Sequence, residues 1–207
     1  MDRYQAQQRY TKTAIVFHWV IALFIIFNIC IGSFMESLEQ PLRTRVVSVH
    51  ASLGMTVLGL AVLRILWRVT HRPPDFPATM ATWEKNVAHL AHAFLYFLMV
   101  TVPLAGFSIL SSNAPRPPGT GIRIWILTDI PRISVLQQNP DAGYRRILHD
   151  FYLEMHHLGG WILAGLVVLH VAAALKHQFV DKHPELARMG VGRLPVDGGD
   201  SKKASQG

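Results

Sequence analysis

Residues 154–176 read EMHHLGGWILAGLVVLHVAAALK, an apolar run with one histidine near its start and another near its end. His156 and His170 are 14 positions apart. At about 100° per residue, that spacing returns to within roughly 40° of the same helix face, about 21 Å further along. An unpaired imidazole in hydrocarbon costs several kcal/mol, so each ring needs a partner from another element. A single histidine near a helix end is ordinarily an interfacial residue. Two on one face, at opposite ends of one span, predict two sites stacked across a bilayer.

The composition agrees with a membrane setting. Half of the 207 residues are hydrophobic and 16% are charged, against about 25% charged in a typical soluble domain. Four apolar runs stand out: Thr13–Phe34, Val49–Val69, Val87–Leu110 and Leu158–Ala174. Each is near the roughly 20 residues that a helix needs to cross the hydrocarbon. The expected fold is an all-α integral membrane protein, a bundle of four transmembrane helices. The first run follows DRYQAQQRYTKT and precedes no small-residue cleavage site, so it reads as an anchor.

Orientation follows from basic residues in the short connections. Arg3, Arg9 and Lys12 precede the first span, and Arg68, Arg72 and Lys85 lie around the second connection. Lys176, Lys182, Arg188, Arg193, Lys202 and Lys203 follow the fourth span. Both termini and the second connection are therefore expected in the cytoplasm. Residues 111–149, with Pro115, Pro117, Pro118, Gly119 and Gly121 and the apolar patch Ile122–Leu127, are too short and broken for a fifth span. They are expected to form a periplasmic cap leading to a short helix near Ala142–Tyr152. The membrane domain is expected to cover 1–183, and 184–207 a cytoplasmic tail, disordered from about 198.

Cys30 is the single cysteine, which excludes internal disulfides, a four-cysteine zinc site and an iron–sulfur cluster held by this chain alone. Without Cys-x-x-Cys-His, any haem is held without thioether bonds. The 11 histidines are the unusual feature. His18 and His170 lie near the cytoplasmic ends of their spans, and His50 and His156 near the periplasmic ends. Two bis-histidine pairs result. Zinc wants about four ligands, often with a carboxylate or thiolate, and no Asp or Glu lies in the central parts of the spans. Haem iron needs only two axial ligands between apolar walls. Met35 and Met155 are less well placed as ligands.

Neighbouring histidines obey the same geometry. His157 lies 13 residues before His170, about 140° round the helix, and His149 lies 21 before, roughly 31 Å away. His156 is therefore the expected ligand. Arg64 and Arg68, 14 and 18 residues after His50, are expensive inside a span. They suit haem propionates, a lipid or a quinone head group. His177 falls seven after His170 on nearly the same face, in reach of a quinone at the interface. Arg68 is a further candidate for that site, and His92, His71 and His89, at similar depth but of unsettled facing, rank below it, His92 being kept as the third candidate. Trp19, Trp67, Trp83, Trp125 and Trp161 read mostly as interface anchors.

Together, Phe17-His18-Trp19, Val49-His50-Ala51-Ser52-Leu53-Gly54, Ala88-His89-Leu90-Ala91-His92 with Tyr96, Pro103 and Gly106, and His156 with Leu169-His170-Val171-Ala172-Ala173-Ala174-Leu175 and His177 resemble the prokaryotic cytochrome b561 family. The likeness runs from about Tyr10 to His183. It implies two haems b, with axial ligands at His18, His50, His156 and His170, and a quinone site lined by His177. The family's bacterial four-helix members include a superoxide oxidase, which passes electrons from periplasmic superoxide to ubiquinone. The leading expectation is thus a superoxide:ubiquinone oxidoreductase. The periplasmic side offers such an anion seven arginines against six acidic residues. The alternative is a cytochrome b subunit relaying electrons between quinone and a dehydrogenase or hydrogenase partner. A histidine-rich metal carrier without redox chemistry ranks third. Expected partners are membrane lipid, quinone, superoxide and a redox partner protein, with no nucleic acid.

Overall fold

The structure is a computed structural model that describes residues 9–77, 79–112, 122–125, 128–137, 140–192 and 194. Four long helices carry the fold: α1 (Lys12–Phe34), α2 (Leu42–Thr70), α3 (Thr82–Ser112) and α5 (Ala142–Phe179). All four are long and apolar enough to cross a membrane. A two-stranded antiparallel hairpin, β1 (Ile122–Ile124) and β2 (Thr128–Ile130), and the short helix α4 (Ser134–Gln137) lie between α3 and α5. Helix α6 (Glu185–Arg188) follows α5. Thr11 caps α1 by accepting from the Ala14 amide, and Asp141 caps α5 by accepting from Gly143 and Tyr144.

Neighbours in the bundle run α1–α2–α3–α5, with α3 and α5 packed most closely and α1 and α5 only loosely apposed. Gly159 makes the close pair possible. A Cβ there would sit 2.8 Å from Val102 Cγ2 of α3. The buried core comprises Ile21 and Ile25 of α1, Val57 and Ala61 of α2, Leu98 and Met99 of α3, and Leu163 of α5. On α1, α2 and α5 these residues fall between the histidine near one end and the glycine, arginine or histidine near the other. In hydrocarbon these side chains stabilise the bundle by close van der Waals packing and not by leaving water. Exposed Leu, Val, Ile and Phe side chains run along all four long helices, as lipid-facing helices require.

Three features depart from the sequence-based expectation. The short helix expected near Ala142–Tyr152 is instead the opening of α5, which continues unbroken for 38 residues. Arg145, Arg146 and Asp150 end the apolar run, but charged side chains do not end a helix. The apolar patch at 122–127 supplies the first strand of the hairpin. Third, packing does not stop at residue 183. Tyr10 donates its amide to Arg188 O, Trp19 Nε1 donates to Met189 O, and Arg9 donates to Gly192 O. Both described ends of the chain therefore meet at one end of the bundle, here the terminal end. The opposite end, under the hairpin, is the hairpin end. The disorder expected from about 198, and Pro115 through Gly121, lie outside the described residues.

Candidate functional site

At the hairpin end, α5 presents His156 and α2 presents His50, with ring centroids 5.8 Å apart. His156 Nδ1 donates to the Val102 carbonyl of α3 at 2.9 Å. A carbonyl only accepts, so Nδ1 carries the proton and the Nε2 lone pair is free for a metal ion. Two glycines form the cradle. A Cβ at Gly32 would lie 3.2 Å from His50 Cε1, and one at Gly106 would lie 3.1 Å from His156 Cε1. Both rings line a mostly apolar cavity of about 390 Å³ walled by all four long helices, within the usual range for small-molecule sites. His50 Nδ1 and Asn28 Oδ1 are buried there without a well-formed hydrogen bond among the described residues.

At the terminal end, His18 of α1 and His170 of α5 have centroids 6.1 Å apart. An imidazole nitrogen bonds a metal at about 2 Å, so two such bonds plus the depths of two rings place the centroids roughly 6 Å apart. Both pairs fit that spacing. His92 of α3 also approaches His170, at 5.4 Å, and donates Nδ1–H to the Ala88 carbonyl at 2.7 Å. Helices α3 and α5 are packed tightly, whereas α1 and α5 stand apart. The looser apposition is the one that the His18–His170 pair bridges. Arg64 donates to His18 Nδ1 at 3.1 Å. That contact makes Nδ1 the acceptor, so binding a metal through Nε2 requires Arg64 to release it. The Arg64 and Arg68 guanidiniums sit 5.5 and 5.9 Å from the Tyr96 ring centroid.

His177 makes a 2.6 Å contact with Asp181 Oδ2, and its ring stacks near His183 with centroids 6.0 Å apart. The hydrogen bond from Lys176 holds the Asp181 carboxyl below its usual pKa range, so it is ionised at neutral pH. The other histidines have partners of their own. His157 pairs with Glu36 at 3.4 Å, His149 lies 3.4 Å from Ser112 Oγ, His71 stacks on Trp67 at 3.7 Å, and His89 meets the Phe76 edge. Met155 faces outward, while Met35 lines the hairpin-end cavity.

Sequence reasoning missed Asp181, although its i+4 spacing from His177 was available as a signal. It also missed the hydrogen bonds that tie tryptophans into the fold. Trp19 Nε1 reaches Met189 O, Trp67 Nε1 reaches Thr11 Oγ1, and Trp125 Nε1 reaches Thr56 Oγ1. Trp83 and Trp161 are the most exposed of the five, as interface anchors would be.

The profile of the family described as Prokaryotic cytochrome b561 matches residues 9–192. "Cytochrome b561 homolog 2" of Escherichia coli (strain K12) is 28% identical over 184 residues, spanning 88% of this chain and 91% of that one. "Cytochrome b561 homolog 1" of the same strain is 22% identical over 185 residues, 87% of this chain and 96% of the other. "Probable superoxide oxidase CybB" of Yersinia pestis is 25% identical over 185 residues, 88% of this chain and 96% of its own length. Four spanning helices and a profile match over nearly the whole chain place it plainly: this is a bacterial membrane electron-transfer protein of the prokaryotic cytochrome b561 family, whose members bind haem b.

Proposed function

We propose that this protein binds two haems b and is a superoxide:ubiquinone oxidoreductase of the bacterial inner membrane, with both termini in the cytoplasm. The observation that carries the reading is the pair of histidine tiers separated by the buried core of Ile21, Ile25, Val57, Ala61, Leu98, Met99 and Leu163. His50 and His156 would hold one haem, at the hairpin end facing the periplasm. His18 and His170 would hold the other. Haem bound at each pair supplies a one-electron carrier.

The chain's own residues account for the rest. The Val102 carbonyl fixes the tautomer of His156, and Gly32 and Gly106 leave the ring edges uncrowded. The apolar core keeps water from linking the two tiers. At the terminal end, Arg64 and Arg68 would neutralise propionates. His177, Arg68 and His92 would line the quinone head, with His177 hydrogen-bonding a carbonyl and passing a proton to it. The overall reaction balances as two superoxide ions, each losing one electron to become O2, and one ubiquinone taking two electrons and two protons to become ubiquinol. Support for superoxide as donor comes from the Yersinia pestis relative named a probable superoxide oxidase.

The test is stopped-flow mixing of the purified red protein with superoxide, with and without a short-chain ubiquinone. The expected result is rapid haem reduction by superoxide alone and sustained turnover only with quinone. Slow or absent reduction by superoxide, together with fast reduction by ubiquinol, refutes this reading in favour of a relay subunit serving another dehydrogenase.

A further inference from the structure

Beyond α5 the chain reverses through Lys182, which adopts a left-handed backbone at φ 57°. The His183 amide then donates to the His177 carbonyl at 2.8 Å. The reversal brings His183 back over the last turn of α5. His177, Asp181 and His183 each offer a ligand atom, and these three atoms lie within 4.8 Å of one another. No other group of three or more such side chains is gathered this closely among the described residues.

We propose that His177, Asp181 and His183 form a binding site for a divalent transition-metal cation of the zinc class, and that its occupancy slows quinone reduction. Two imidazoles and one carboxylate, with a fourth position left to water, make a donor set that zinc accepts readily. All three side chains are half-buried at the water-facing end of α5, where a cation can arrive from solvent.

The surrounding contacts suit a metal better than a closed hydrogen-bond network. His183 has Nε2 3.0 Å from Thr79 Oγ1, while its Nδ1 is buried with no hydrogen-bond partner among the described residues. A metal-bound histidine ordinarily has its second ring nitrogen held in this way. Thr79 would thus orient the ring and leave Nδ1 as the ligand. The obvious competitor is Lys176, whose Nζ lies 2.9 Å from Asp181 Oδ2. Lys176 also reaches Glu84 Oε1 at 2.9 Å, so it keeps an ion pair when a metal takes Asp181. The short contact from His177 to Asp181 would give way to two metal bonds.

The effect on turnover rests on the role proposed above for His177. A nitrogen committed to a metal no longer serves a quinone carbonyl, and the added charge opposes proton delivery. The site itself does not depend on that role.

The experiment uses the full haem-loaded chain in detergent, stripped with chelator, desalted and titrated with Zn2+ alone by calorimetry. One saturable zinc per chain is expected. Asp181→Asn and His183→Ala should each weaken binding at least tenfold while the haem absorption spectrum, which reports folding, stays unchanged. Absence of binding to the parent chain, or affinity as tight as the parent's in either variant, overturns the site. Zinc should also slow quinone reduction in the parent chain. In His183→Ala it should slow that variant's own metal-free rate far less. Tight zinc binding with no change in rate overturns the regulatory half. If the metal-free protein reduces no quinone at all, the function proposed above fails, and the zinc titration still decides the site.

Discussion

Substituting Gly106 separates the claim that His156 holds a haem from the weaker claim that it merely faces a cavity. A Cβ at residue 106 would lie 3.1 Å from His156 Cε1 and 3.2 Å from Nδ1, where ordinary contacts begin at 3.4 Å. Gly106→Ala therefore asks the ring to retreat by about 0.3 Å, which its 2.9 Å bond to Val102 O survives. Gly106→Val adds two γ carbons on a stiff side chain and pushes that bond past its limit. Losing the bond costs about 1 kcal/mol, and overpacking adds about 1–3 kcal/mol. Together these come to about 2–4 kcal/mol, roughly a 30- to 700-fold loss of haem affinity at one site. Replacing a helical glycine by alanine favours the helix by up to about 1 kcal/mol. Gly106→Ala should thus raise the melting temperature of haem-free protein while slightly lowering haem retention, two readings of opposite sign. Haem per chain and the absorption spectrum of each variant, after dialysis against a haem scavenger, give the measurement. A Gly106→Val protein that keeps the parent's haem content and spectrum refutes the reasoning.

His156→Ala should remove the hairpin-end haem and leave the other, whereas His157→Ala, which loses only its contact with Glu36, should keep both; the opposite pattern in haem content means the wrong neighbour was chosen. His177→Ala should leave both haems bound and reducible while quinone reduction slows at least tenfold, equivalent to about 1.4 kcal/mol; unchanged turnover moves the quinone elsewhere. Arg188 is 1% exposed and donates to Asp75 O at 2.6 Å and Glu185 Oε1 at 3.3 Å. Arg188→Ala should cost about 1–3 kcal/mol by stranding those acceptors, read as a lower melting temperature with haem spectra preserved; an unaltered melting temperature would show that the C-terminal packing adds nothing.

What the sequence made legible was whatever depends on helical periodicity. The 14-residue interval from His156 to His170 is a property of one helix, so the facing of both rings could be computed before any neighbour was known. The pairing of those rings with His50 and His18 followed from depth alone, since a bilayer orders residues along one axis. Periodicity stops where the chain leaves the helix. The left-handed backbone at Lys182, a residue type that seldom adopts it, gave no warning that His183 returns to His177. The closeness of His92 to His170 was hidden for another reason. It depends on the rotation of α3 about its own axis, which Gly159 and Val102 set by contact.

Helix α5 contributes a histidine to each tier and runs without a break between them. It is a single camshaft with two lobes. One residue inserted between position 156 and position 170 would turn the second lobe by about 100° and raise it by about 1.5 Å, disengaging it from α1. Changes of about seven residues come closest to restoring the alignment, and each moves the lobes apart or together by roughly 10 Å. The interval between the two histidine pairs is therefore geared. It can change in steps of about two helical turns, each comparable to a third of the bilayer's hydrocarbon, and hardly at all in between. Axial rotation of this one helix would likewise throw both histidine pairs out of register at once, so neither can be shifted by moving α5 without disturbing the other.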